Sequence, residues 1–258
     1  MIKKISALTI ILATILVVFA SCGGIEKTDS PPPSGLEESP ASDFVYRYEA
    51  SVNGIEIKGY IGNSMRVHIP EKIDGESVTG IGRRAFQDSN IVEIYIPNTV
   101  KNIDALAFTR CLELTNITIP NSVLRIGYGA FFGCTGLSSV TISDRVTRIG
   151  YGTFSRCTGL TNIIIPDSVT QIGGDAFSYC TRLADVTIPD SVTQIGAWAF
   201  TGCLGLTNIA IPDSVRQIEI EVFSHCTALT NANYKGIAYD LSVKAGWNEL
   251  YLAVNGEN

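Results

Sequence analysis

The chain has 258 residues, 45% of them hydrophobic and 17% charged, which is enough apolar material for a sizeable core and excludes disorder throughout. A formal charge of −6 offers no basic field to a polyphosphate backbone, so nucleic acid is not an expected partner. Two histidines, His68 and His225, are too few for a multi-histidine metal centre or proton relay.

Residues 1–21 read as a signal peptide. Lys3 and Lys4 precede an apolar or weakly polar run from Ile5 to Ala20, shorter than the ~20 residues that a bilayer-spanning helix needs. The run ends in Phe19-Ala20-Ser21-Cys22-Gly23, which resembles the lipobox of bacterial lipoproteins, with Phe19 where leucine is usual. That resemblance implies cleavage before Cys22, acylation of Cys22, and an exported protein held by lipid at the bacterial surface or outer envelope. The alternative is an ordinary secretory signal beside an incidental cysteine. Without Lys3 and Lys4 the charge becomes about −8, which opposes adsorption to anionic lipid without an anchor. Residues 22–42 hold four of the ten prolines and few apolar side chains, so they cannot repay their ordering entropy and read as a flexible tether.

From Asp43 the composition changes, and an internal repeat follows. Cys111, Cys134, Cys157, Cys180, Cys203 and Cys226 are spaced by 23, and Phe108, Phe131, Phe154, Phe177, Phe200 and Phe223 keep the same phase three residues earlier. Phe86 with Ser89 extends the series backward with one residue deleted. Pro97, Pro120, Pro166, Pro189 and Pro212 follow an L-x-x-I-x-I motif, and Ser143 stands where one proline is missing. A fixed period between 20 and 29 built on leucine and isoleucine means a solenoid. In the unit from Leu160, Ile163 and Ile165 are two apart and face one side of a strand, which Pro166 ends because it lacks a ladder donor. Val169 and Ile172 point inward from a second extended segment, Gly173 permits a bend, and Ala176, Phe177 and Cys180 form a short helical turn over the same interior. No unit buries these residues alone, so stability requires at least three stacked units. Seven units at about 4.8 Å make a rod of roughly 34 Å.

The unit L-x-x-I-x-I-P-[DN]-S-V-x-x-I-G-x-x-A-F-x-x-C-T-x resembles the leucine-rich repeat of BspA-like bacterial surface proteins over about residues 60–231. It departs from the pattern at Ser143, at Asp104 and Glu219 for glycine, and at Val222 for alanine. The resemblance implies a mainly β leucine-rich repeat solenoid with short helical turns and about seven repeats of 22–23 residues. Residues 43–80 would form an N-terminal cap and first strand unit, 81–231 the repeats, and 232–258 a C-terminal cap. Lys235-Gly236 is placed as a hairpin turn, and Trp247, Leu250 and Val254 have helical spacing. The resemblance also implies a cell-surface adhesion or binding module contacting host matrix or cell-surface proteins, without catalytic residues. A structural or glycan-binding envelope component is the alternative.

Chemistry-bearing residues have bland readings here. The six repeat cysteines occupy a small-hydrophobe position and are expected as buried free thiols, with three vertical disulfides geometrically open. Asn98, Asn121, Asp144, Asp167, Asp190 and Asp213 form a second column that reads as turn-capping side chains, with calcium as the lesser alternative. We expect no catalytic residue, metal site or cofactor, since nucleophile-elbow, phosphate-loop and zinc-helix motifs are missing from the sequence. Two candidate binding surfaces remain. One is the outward strand face, small and polar apart from Tyr95 and Ile164. The other is an aromatic patch at the bends, with Tyr128 and Tyr151 in one phase, Phe132 close by and Trp198 displaced by one position; the alternative is that these rings cover the glycine turns.

Overall fold

The computed structural model describes residue 32 and residues 35–241 and 244–256. The signal segment, Cys22 and the first part of the tether lie outside them. Within the described residues the chain winds as a solenoid, each coil having three sides.

The first side is a stack of eight short parallel strands, Arg66–His68, Glu93–Tyr95, Asn116–Thr118, Ser139–Thr141, Asn162–Ile164, Asp185–Thr187, Asn208–Ile211 and Asn231–Tyr234, whose ladder is interrupted after Ser139–Thr141 and after Asp185–Thr187. Residues one period apart are partners, as with Ile163 and Val186. Alternation then sorts the side chains, so Ile163 and Ile165 are buried and Ile164 between them is 78% exposed. The second side is a row of two-residue strands from Asn102–Ile103 to Gln217–Ile218, each with its isoleucine inward and the ladder interrupted between Arg125–Ile126 and Arg148–Ile149.

The third side turns as the sequence suggests but does not become helix. Bonds of the i→i+3 kind close it, such as Cys111 N–H to Phe108 O at 3.1 Å. Between them lie residues with positive φ, including Leu106 at 59° and Arg110 at 59°, and a left-handed residue at every turn stops helical propagation. The freed N–H groups turn along the stack instead. Leu106, Phe108 and Arg110 donate to Tyr128, Ala130 and Phe132 of the next coil at 3.0, 2.7 and 2.8 Å. Three such bonds cross each of the six junctions, so this side is a third ladder running toward the C-terminal end.

The core is a set of columns. Phenylalanines from Phe86 to Phe223 stack with centroids 5.1–5.6 Å apart and ring planes within 13°. Aromatic rings of the caps close both ends: Tyr60 lies 5.5 Å from Phe86, and Trp247 5.6 Å from Phe223. The six cysteines are free and buried. Each thiol donates to the carbonyl of the preceding coil's phenylalanine, as Cys157 does to Phe131 at 3.1 Å. Burial pushes the thiol pKa of Cys180 up to about 12 and that of Cys157 well above the ordinary value.

Departures from the repeat have local explanations. Ser168, Ser191 and Ser214 donate to the carbonyls of Val146, Val169 and Val192 at 2.6–2.8 Å. In the coil that lacks proline, Arg145 occupies that serine position, and Ser143 donates to Val123 O at 2.8 Å in its stead. The side chain at the proline position thus keeps a bond made in three other coils, while Thr99 and Ser122 at the serine position have no such partner among the described residues. Gly173 serves less for bending than for close approach: its φ is not positive, but a Cβ there would lie 2.9 Å from the Gly150 carbonyl carbon. Where glycine is replaced, the carboxylate finds a partner, Asp104 with Arg125 at 3.1 Å and Glu219 with the Ala197 N–H at 3.1 Å.

The N-terminal cap is an antiparallel pair, Phe44–Glu49 with Gly54–Tyr60, whose second strand runs parallel to Glu76–Ile81 on the second side. Ordered packing starts ahead of Asp43, since the Ser39 N–H donates to His68 O at 2.9 Å and the Ser39 hydroxyl accepts the His68 N–H at 3.1 Å. At the other end Asn231–Tyr234 and Ile237–Asp240 form a hairpin through Lys235-Gly236, and a helix, Lys244–Asn255, follows. Leu250 and Val254 of the helix are buried.

The phenylalanine column yields a direct prediction. Phe154 is fully buried between Phe131 and Phe177, so Phe154→Ala is expected to lower unfolding free energy by about 3–5 kcal/mol in urea titration. A loss under about 1 kcal/mol would mean the column is not the core.

Candidate binding surfaces

The third side carries its outward side chains on turns that the stack holds rigidly. Tyr128 and Tyr151 occupy the same position of adjacent coils and are 46% and 60% exposed. The Arg83 guanidinium lies 6.0 Å from the Tyr128 ring centre, reaching across the coil that bears Ala105 at that position. The Tyr151 ring lies beside Gly174 of the next coil, where an added Cβ would meet it at 3.4 Å. Hydrogen bonding to the Asp175 carboxylate raises the Tyr151 hydroxyl pKa. Trp198 is 38% exposed, and its indole N–H donates to Glu221 at 2.9 Å. The Tyr151 ring therefore covers neighbouring backbone, and all three rings present surface to solvent.

Phe132 is half-buried and adjoins Gly129. Its carbonyl accepts from Arg110, so its backbone belongs to the third ladder. Tyr179 escaped the sequence reading. It is 45% exposed, with the Arg156 guanidinium 5.3 Å over its ring and its own ring against Gly202. Its signal is a large aromatic two residues after the repeat phenylalanine, in a column otherwise occupied by Asp88, Arg110, Gly133, Arg156, Gly202 and His225.

The strand face divides differently from expectation. Ile164 stands free at 78% exposure, but Tyr95 is half-buried with its ring edge-on to His68, centroids 4.6 Å apart. His68 is itself buried, its ring nitrogen 3.2 Å from Leu36 O. Tyr95 and Ile164 consequently do not combine into one apolar patch. Asp167, Asp190 and Asp213 are exposed at the bend after the first strand. Among the described residues no three His, Cys, Asp or Glu side chains converge as metal ligands.

At the corner between the second and third sides, a groove of about 590 Å³ is lined by Arg83, Leu124, Arg125, Tyr128 and Arg148. Arg125 is paired with Asp104, while Arg83 and Arg148 have no ion pair among the described residues. Charge is unevenly divided along the stack: residues 81–156 hold eight Lys/Arg and five Asp/Glu, and residues 157–258 hold four and ten.

The model of the BspA type leucine-rich repeat region matches residues 67–184 and 147–242, in six copies. The chain belongs to the BspA-type leucine-rich repeat family. Solved structures of leucine-rich repeat proteins agree with this placement. A leucine-rich cell surface protein from Faecalibacterium prausnitzii is 33% identical with a TM-score of 0.71, over 82% of this chain and 59% of that one. The leucine-rich repeat protein of T. pallidum is 31% identical with a TM-score of 0.59, over 78% and 83% of the two chains. A leucine-rich repeat protein from Eubacterium ventriosum is 25% identical with a TM-score of 0.60, over 74% and 52%. No curated protein matches the chain. The BspA-type solenoid is a scaffold suited to binding other proteins, and no helix among its described residues is long and apolar enough to cross a membrane.

The Tyr151 environment can be checked by ultraviolet titration. Its phenol donates to Asp175, so ionisation forfeits that bond and meets a nearby negative charge. Asp175→Asn is expected to move the Tyr151 transition down toward the ordinary tyrosine value of about 10. An unchanged transition would remove Asp175 as its cause.

Proposed function

We propose that this protein is an exported, lipid-anchored adhesion module whose aromatic turn face contacts host matrix or cell-surface proteins. The observation carrying this reading is the pair Tyr128 and Tyr151, which remain 46% and 60% exposed although the stack fixes their backbone on adjacent coils. Ordering a side chain at an interface costs about 0.5–1.5 kcal/mol, and a ring already braced by neighbouring residues has little of that left to lose. Aromatic residues are the commonest anchors of protein interfaces. Trp198 and Phe132 extend the surface along the same side, and Arg83 and Arg148 add hydrogen-bond donors at its corner.

The strand face is the weaker candidate, because Ile164 is an isolated apolar side chain among small polar ones and Tyr95 is engaged with His68. No catalytic step enters this reading. Cys22 would supply the anchor, with residues 1–21 removed on export and the proline-bearing segment holding the repeats clear of the headgroups.

Two experiments test the proposal. The double variant Tyr128→Ala with Tyr151→Ala, checked for an unchanged melting temperature, is expected to weaken binding to immobilised matrix proteins by about tenfold or more. Tyr95→Ala with Ile164→Ala, matched in the same way, should bind as the parent does. Equal binding by the parent and the aromatic variant would refute the surface assignment. Separately, Cys22→Ala should move the protein from the membrane to the soluble exported fraction with its circular dichroism unchanged, and unaltered detergent partitioning would refute the anchor.

A further inference from the structure

Among the described residues the C-terminal end of the solenoid is capped on two sides and open on the third. On the first side, Asn231–Tyr234 continues the ladder from Asn208–Ile211 and is closed by its hairpin partner. On the second side, the helix ends the ladder with one side chain: the Asn255 carbonyl oxygen accepts the Ile218 N–H at 2.9 Å, and its amide donates to Ile218 O at 3.0 Å. That single amide takes the place of the next coil's backbone.

Among the described residues no such device closes the third side. Trp198, Phe200 and Gly202 donate forward to Ile220, Val222 and Ser224 at 3.2, 2.9 and 2.8 Å, as their equivalents do at every earlier junction. The equivalent donors of the last coil are the N–H groups of Glu221, Phe223 and His225. None of them has a hydrogen-bond partner among the described residues. Glu221 and His225 keep the positive φ of the column, 54° and 61°, so the turn retains the geometry of a coil that bonds to a successor. A cavity of about 820 Å³ opens on this edge, its lining including Glu221, Phe223 and His225 and, across from them, Leu241, Trp247 and Tyr251. Glu221 and His225 are exposed, so this row of backbone donors faces solvent beside the cavity, and such an edge is a template for another chain.

We infer that this open edge is a second binding site, separate from the aromatic face, which takes an extended peptide segment of a partner protein as one further coil side. Donors at every second residue are matched by peptide carbonyls at every second residue, which a single small anion does not supply. The apolar part of the lining, Phe223, Leu241, Trp247 and Tyr251, takes an apolar side chain from the incoming segment. Glu219 and Glu221 lie at the cavity and none of the described Lys or Arg side chains lines it, so the segment is basic. A second copy of this chain fits the edge less well. The acceptors it would offer are on its first coil, where the Tyr60 N–H of the N-terminal cap already donates to Ala85 O at 2.8 Å.

The test uses the full-length protein and a probe whose carbonyls have the required spacing. In the stack, the carbonyls of Ala197, Ala199 and Thr201 accept from Asp175, Phe177 and Tyr179. The probe is accordingly a fluorescein-labelled, end-capped peptide of residues 195–202 with a lysine at each end. By amide exchange and nuclear magnetic resonance, the N–H groups of Glu221, Phe223 and His225 are expected to exchange quickly in the free protein while those of Trp198, Phe200 and Gly202 are protected. Probe addition should shift and protect the first three. By fluorescence polarisation, glutamate in place of the terminal lysines should weaken binding by about tenfold, and Glu219→Lys with Glu221→Lys should do the same to the lysine probe. The amide readout on the parent protein stands even if that double variant fails to fold. The inference is overturned if the three amides are protected in the free monomer, if they do not respond to the probe, or if self-association protects them. Equal affinity for both probes would overturn the basic character of the segment.

Discussion

Register between coils is the constraint on which everything else here depends. A coil three residues deep on its first side and two on its second cannot satisfy its own backbone, so groups not closed by its own turns look to the coil before or after it. A period of 23 puts equivalent groups opposite each other, and the same register aligns the phenylalanine rings, the thiols that donate to phenylalanine carbonyls, and the serines that donate to valine carbonyls. Packing and hydrogen bonding are therefore not independent contributions. A slip of one residue loses both, which explains why the side chains at inward positions vary so little from coil to coil.

The same constraint shapes the surfaces. Positive-φ residues on the third side direct N–H groups along the stack, and in doing so they present outward side chains at fixed intervals on a backbone bonded to its neighbours. Tyr128, Tyr151, Tyr179 and Trp198 are exposed on such a platform. The direction of these bonds also makes the two ends of the solenoid unlike. Carbonyls face the N-terminal cap and N–H groups face the C-terminal one. On this side the Tyr60 N–H meets a carbonyl at one end, while at the other end Asn255 and the hairpin close the second and first sides only.

Much of this was legible in the residues, because a repeat prints its inward positions many times over. The 23-residue spacing of Phe and Cys, the L-x-x-I-x-I strand and the Lys235-Gly236 hairpin were all readable from period and turn chemistry. What escaped depends on contacts between coils. The turn of Ala176, Phe177 and Cys180 has helical composition, but left-handed residues such as Asp175 and Tyr179 divide it. Gly173 resembles a bend glycine, whereas the close approach of Gly150 is its reason. Ser143 looked like a lost proline and is a relocated serine. Tyr95 belongs by phase to an open face, yet Leu36 and Ser39 fold over His68 and bring Tyr95 into that packing, which no repeat position encodes. Unique contacts at the caps leave no periodic trace.

The claim that register is the governing constraint is tested most directly by removing one period. Deleting residues 158–180 joins Cys157 to Thr181 in phase and takes out one coil, so the shortened protein is expected to unfold in a single cooperative transition with the β-type circular dichroism of the parent. Deleting only residues 158–168 removes about half a coil and throws every later inward position out of phase, and that protein is expected to lose the cooperative transition. If both deletions unfold alike, whether both cooperatively or both without a transition, the stack does not depend on register in the way described.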